Sequence, residues 1–151
     1  TRLSVGIDGS ASMFPAFHDG SVAAAVDLII GVADAIGIAE VTAVVVGADC
    51  TSVDAPAAHL AEAVAGTPRR WSAGARWSCL PSGGRTLLIT DAPSELTRRG
   101  CPVLWTSADT RLAERGPLLL PPPVDVPARQ HLADHPAIVD HLVTGLLAEL
   151  L

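Results

Sequence analysis

The chain contains no lysine: all ten basic side chains among its 151 residues are arginines, set against sixteen Asp and Glu for a net charge of −6. That balance excludes a nucleic-acid binder, because phosphate recognition needs clustered cations. It also removes the amine that several phosphate-handling active sites depend on. Hydrophobic residues make up 49% of the chain, yet no run reaches the ~20 uninterrupted apolar residues of a membrane helix. The first residues carry neither the basic nor the apolar region of a signal peptide. Cysteine is scarce. Cys50, Cys79 and Cys101 are odd in number and far apart, which reads as buried reduced thiols rather than a disulfide framework or zinc site. No G-x-S-x-G elbow of a serine hydrolase is present. These absences together predict a soluble cytoplasmic domain, long enough to bury roughly 70% of its unfolded surface.

What is present centres on Leu3 to Met13, LSVGIDGSASM. Leu3, Val5 and Ile7 alternate with small residues and predict a short buried strand. It runs into Asp8-Gly9-Ser10-Ala11-Ser12, a carboxylate and two hydroxyls at alternate positions. Hard oxygen donors at the end of a strand and just before a helix stand where an open α/β sheet binds ligands. Oxygen-only ligands suit magnesium, or manganese, rather than zinc.

The following text alternates helices and strands. Pro15 predicts a turn, and Asp19 an N-cap for a helix running to Ile36, with Gly37 as its stop. Glu40–Gly47 reads as a continuous apolar strand, Ala57–Ala65 as a helix, and Arg85–Thr90 (RTLLIT) as a buried strand entering Asp91-Ala92-Pro93. Residues 94–99 predict one or two helical turns, 101–107 a strand, and 118–120 a last short strand before the proline-rich run 121–127, expected to be extended. Residues 137–151 form an amphipathic helix. This alternation predicts a single domain over 1–151, with a three-layer α/β/α, doubly wound, mostly parallel sheet. The start on Thr1 rather than Met favours a piece of a larger multidomain protein. Between residues 67 and 84, Arg69, Arg70 and Arg76 mix with Trp71 and Trp77, which reads as a packed loop or partner surface. His59 reads as a surface residue. His131, His135 and His141 read as solvated positions, with Pro136 interrupting the helix between them.

If the strands ending at Asp8 and Thr90 are parallel and central, Asp8, Ser10, Ser12 and Asp91 gather at one edge. There the residues resemble a known family. DGSASM fits the D-x-S-x-S pattern of von Willebrand factor A (vWA) domains, and LLITDAP is similar to their strand followed by T-D-G, at about the same separation. The wording around the first helix looks most like bacterial intracellular vWA domains associated with tellurium-resistance, stress or conflict systems. The resemblance implies a metal-ion-dependent adhesion site: Ser10 and Ser12 bind Mg2+ through their hydroxyls, Asp8 and Asp91 act directly or through water, and a threonine from a middle loop completes the set. Thr67 after Gly66 matches best, with Thr51 and Ser72 as alternatives. The expected G-G-T is missing, and alanine replaces the glycine after Asp91. A partner protein's carboxylate takes the open position in such sites.

The implied function is non-enzymatic protein binding. Two alternatives stand beside it: a degenerate vWA-like scaffold that binds partners through other surfaces without metal, and a Mg2+-dependent phosphatase of the haloacid dehalogenase type. The phosphatase needs a second acid where Ser10 stands, and a lysine the chain lacks.

Overall fold

The computed structural model describes residues 2–68, 70–81 and 84–151. It is a mixed α/β protein whose six strands form one sheet in the order β3-β2-β1-β4-β5-β6. β1 (Arg2–Asp8) lies at the centre, parallel to β2 (Glu40–Val46) on one side and to β4 (Arg85–Thr90) on the other. β5 (Val103–Thr106) and β6 (Leu118–Leu119) extend the parallel array beyond β4, while β3 (Cys50–Val53) runs antiparallel along the β2 edge. From β1 the chain builds the sheet first on one side and later on the other. The C-terminal ends of β1 and β4 therefore flank the point where strand order reverses, the place where open α/β sheets hold ligands.

The strand sequences explain the two faces. Successive side chains alternate across a sheet. Leu3, Val5 and Ile7, with Ala43, Val45, Leu87, Ile89 and Leu104, enter one large core. Helices α2 (Ser21–Ala35), α3 (Leu60–Gly66), α5 (Ala128–Asp134) and α6 (Pro136–Leu150) contribute Val22, Val26, Ile29, Leu60, Val64, Leu132, Leu142 and Leu146 to that core. Arg129 on α5 ties Asp27 of α2 and Glu62 of α3 together, each at 2.7 Å. The alternate residues Leu88, Val103 and Trp105 form a smaller cluster on the other face with Leu112. Trp77 and Leu80 cover that cluster from the long loop after α3, and Leu96 from α4 (Glu95–Arg98). Leu80 lies so close to β1 that a Cβ at Gly6 would meet its methyls at 3.1 Å, so the absent side chain makes room for this cover.

Several expectations are corrected here. Cys50 and Cys79 are not separate thiols: they form a disulfide, with Cα atoms 6.0 Å apart, that pins the covering loop to β3. The separation of 29 residues gives no hint of this, because sequence pattern assigns no element between Gly47 and Ala57, and it is the antiparallel return of β3 that brings Cys50 to residue 79. Only Cys101 among the described cysteines is free. The turn at Pro15 is a short helix, α1 (Phe14–His18), with proline in its first turn. α2 starts at Ser21, not directly after Asp19: Gly20 takes a left-handed φ of 84°, and Asp19 Oδ1 accepts the Ser21 N–H at 2.8 Å from just outside the helix. Residues 128–134 form α5, a segment that sequence pattern leaves unassigned between the proline-rich run and the last helix. The run 121–127 is not simply extended; Val126 N–H donates to the Pro123 carbonyl, with Asp125 at φ 63°. Arg69, and the Ser82 and Gly83 of the segment's glycine-rich close, lie outside the described residues. Among the described residues no single helix is long and apolar enough to cross a membrane.

Candidate functional site

Asp8 ends β1 on the face opposite Ile7, only 5% exposed, and both of its carboxylate oxygens are held. Oδ1 accepts the Ser10 backbone N–H at 2.8 Å, an Asx turn that folds the loop back over the strand end. Oδ2 accepts the Thr90 hydroxyl at 2.7 Å. Leu88 and Thr90 share a face of β4, and β1 pairs with β4 so that Ile7 faces Ile89. The next residue on each strand is then brought side by side. Thr90, 1% exposed, is a site residue that sequence reading left out. Sequence alternation carries no signal for it, since Leu87, Leu88 and Ile89 are apolar on both faces and only the register with β1 sets Thr90 beside Asp8.

The loop beyond Asp8 is fixed at both ends. The Ser10 and Ser12 hydroxyls lie 3.2 Å apart. Met13 is fully buried, and the Thr106 hydroxyl reaches its sulfur at 3.5 Å. Ser10 is 6% exposed, whereas Ser12 faces outward. The Ala11 N–H donates to the Ser72 carbonyl at 2.7 Å, and Ser10 pairs with Ser72 as an isolated parallel bridge. The covering loop therefore continues the sheet edge for one residue directly beside the serines.

Asp91 follows Thr90 and is half-buried. Burial pushes its pKa above the ordinary carboxylate value; the Ser12 hydroxyl opposes that shift, the Asp8 charge adds to it, and its own backbone N–H opposes it. Its Oδ1 is buried without a hydrogen-bond partner. Ser12, Asp19, Ser21, Asp91, Thr106 and Ser107 line a cavity of about 190 Å³, and the buried Ser21 hydroxyl there likewise lacks a partner. A buried carboxylate oxygen without a donor is costly. An orphaned carboxylate oxygen next to Ser12, with Asp8 and Ser10 beyond, is a hard-oxygen donor set of the kind that takes Mg2+ or Mn2+. The residues present fit such an ion. Among the described residues no group of three or more His, Cys, Asp or Glu side chains converges, here or elsewhere, so Asp8 and Asp91 are the carboxylates of this set and its other donors are hydroxyls.

The structure thus brings Asp8, Ser10, Ser12 and Asp91 to one end of the sheet. Thr67 follows the C-terminus of α3, where its hydroxyl donates to the Ala63 carbonyl at 2.7 Å. Thr51 sits on β3 opposite Val45. Of the alternatives, Ser72 has its backbone against Ser10, with its hydroxyl donating to the Gly74 carbonyl at 2.7 Å. Away from this end, the His131 and His135 rings approach to 4.3 Å, and His135 Nδ1 lies 2.8 Å from the His131 carbonyl.

No family model and no curated protein matches the chain. Among solved structures it is similar to proximal thread matrix protein 1 from the mussel byssus, with a TM-score of 0.49 and 10% identity over 98% of this chain and 45% of that one. The chain spans less than half of that protein, and a likeness this distant carries no argument about function.

Proposed function

We propose that the chain is a vWA-like, three-layer α/β/α domain and a non-enzymatic protein-binding module, whose contact is a divalent-ion site at the C-terminal ends of β1 and β4. The observation that carries this reading is the buried, partnerless Asp91 Oδ1 beside an Asp8 carboxylate whose orientation is fixed from two sides. Ser10 and Ser12 would hold Mg2+ (or Mn2+) through their hydroxyls, with Asp8 and Asp91 supplying negative charge. Bound there, the ion supplies a Lewis-acidic position able to take a carboxylate oxygen from another protein. The protein's own contribution is preorganisation. The Thr90 hydroxyl and Ser10 N–H hold Asp8 in place, so it loses little freedom on binding. A phosphatase of the haloacid dehalogenase type is disfavoured by Ser10 at the position of its second acid and by the absence of lysine.

The test is Asp8→Ala. Loss of Mg2+-dependent partner capture with the fold retained is the expected result; undiminished capture refutes the ion-dependent mechanism.

A second reading has its own support. Thr67, the best match to the family's third-loop ligand, spends its hydroxyl on the end of its own helix. A scaffold that keeps the fold and dispenses with the ion is consistent with that. Calorimetric titration with Mg2+ and Mn2+ separates the two: heat that vanishes in Ser10→Ala and Asp8→Ala supports the ion site, and no heat in the native chain supports the bare scaffold.

A further inference from the structure

The chain has only five aromatic residues of the Phe and Trp types and no tyrosine, and three of the five meet at one point. Trp71 packs edge-on against Phe14 at 5.3 Å and against Phe17 at 5.5 Å, while Phe14 stacks with the His18 ring at 5.8 Å. Phe17 packs against the main core, but the two outer rings stand clear of it. Phe14 is 50% exposed and Trp71 36%. Its position follows from the backbone: Phe14 stands two residues after Ser12, and Trp71 immediately precedes Ser72, whose carbonyl holds the Ala11 N–H. Two separate elements, α1 and the covering loop, thus bring aromatic faces to the rim of the ion loop. Arg70, exposed, is next to Trp71.

We propose that this rim is the second half of the contact, selecting a partner segment in which an Asp or Glu is flanked by a large apolar side chain. The inference rests on the ion-site reading above, since the acid is assigned to that site. Charge complementarity favours this occupant over a second acidic surface: the proposed divalent ion would take one carboxylate, and the exposed rings of Phe14 and Trp71 offer apolar surface with no counter-charge for another. Exposed aromatics are costly to leave in water and are enriched where binding energy concentrates, being large and of low side-chain entropy. The acid would fix position, and the neighbouring apolar group would cover Phe14 and Trp71.

Capped peptides identical except at two adjacent positions (Leu-Asp, Gly-Asp, Leu-Asn and Gly-Asn) serve as probes, titrated onto the whole chain in MgCl2 or in EDTA and read by calorimetry. In MgCl2, Leu-Asp should bind about tenfold more tightly than Gly-Asp. Phe14→Ser and Trp71→Ser should each bring that preference towards unity and leave Gly-Asp binding unchanged. Equal affinity for Leu-Asp and Gly-Asp in the native chain overturns the proposal, as does a preference that survives both variants or no binding of any peptide near about 1 mM. Binding of Leu-Asn equal to that of Leu-Asp, insensitive to EDTA, refutes the ion reading and the acidic half of this one. The leucine-to-glycine comparison still decides the aromatic half. If Trp71→Ser unsettles the loop, Phe14→Ser on α1 carries the same comparison.

Discussion

The Thr90 hydroxyl donates to Asp8 Oδ2 at 2.7 Å across 82 residues of sequence, and both side chains are buried. This bond joins the two central strands at their C-terminal ends and determines where the Asp8 carboxylate points. Thr90→Val keeps the shape of the side chain and removes the donor, leaving a buried carboxylate oxygen short of a partner. Urea unfolding should show a loss of about 1–3 kcal/mol, and Thr90→Ser should recover most of it. A loss below about 0.5 kcal/mol, the range of an ordinary surface substitution, would mean that the bond does not position Asp8.

Asp91 sets the pH response. Its carboxyl pKa is raised, first by burial and further by the Asp8 charge. Between the ordinary carboxylate value and the raised one, the folded chain holds a proton that the unfolded chain has released. The ion-free protein therefore loses stability as pH rises through that window. Ion binding needs the ionised form, so Mg2+ affinity should fall on acidification at a higher pH than a solvent-exposed carboxylate would give. Asp91→Asn should abolish Mg2+ binding and raise the melting temperature of the ion-free protein at neutral pH by about 2–4 °C. Calorimetry and thermal scans at several pH values check both halves; a variant less stable than the parent at neutral pH contradicts the assignment.

The disulfide from β3 to the covering loop should matter for that loop more than for the sheet. Closing a loop of this separation contributes about 3–4 kcal/mol in the chain-entropy picture. Replacing Cys50 and Cys79 together with serine should lower stability by that order in urea. It should also accelerate amide exchange over residues 70–81 while β1 and β4 stay protected. Alkylation of the unfolded, unreduced protein should label Cys101 alone.

Two helical glycines should respond in opposite directions. A Cβ at Gly31 in α2 meets nothing within 4 Å, so Gly31→Ala should stabilise by up to about 1 kcal/mol through helix propensity. A Cβ at Gly145 in α6 would come within 2.9 Å of the Pro117 ring. Pro117 cannot yield easily, because its carbonyl accepts the Trp105 N–H that leads into the β5–β6 pair. Gly145→Ala should destabilise despite the same gain in propensity, and thermal unfolding of the two variants side by side reads the sign.

Local pattern was enough for the parallel strands of the sheet and for the long helices. Continuous apolar runs at 40–46, 85–90 and 103–106, and the helical spacing of Val22, Val26, Ile29 and Ala33, leave few other ways to bury that surface. The Asp8-x-Ser10-x-Ser12 loop and Asp91 were legible for the same reason, since each directly follows a strand whose own sequence marks its end. Contacts between segments with no periodicity of their own depended on the tertiary structure. Residues 70–81 carry no strand or helix pattern. Their placement over Gly6, the Ser10–Ser72 bridge, the Cys50–Cys79 bond and the meeting of Trp71 with Phe14 all follow from how β3 turns back and where the loop then lies. Sequence by itself determined which oxygens end β1 and β4. Only the fold decided that Thr90 orients Asp8, that Asp91 is left with a buried unpaired oxygen, and that Trp71 meets Phe14, because each of these depends on contacts between strands or loops distant in the chain.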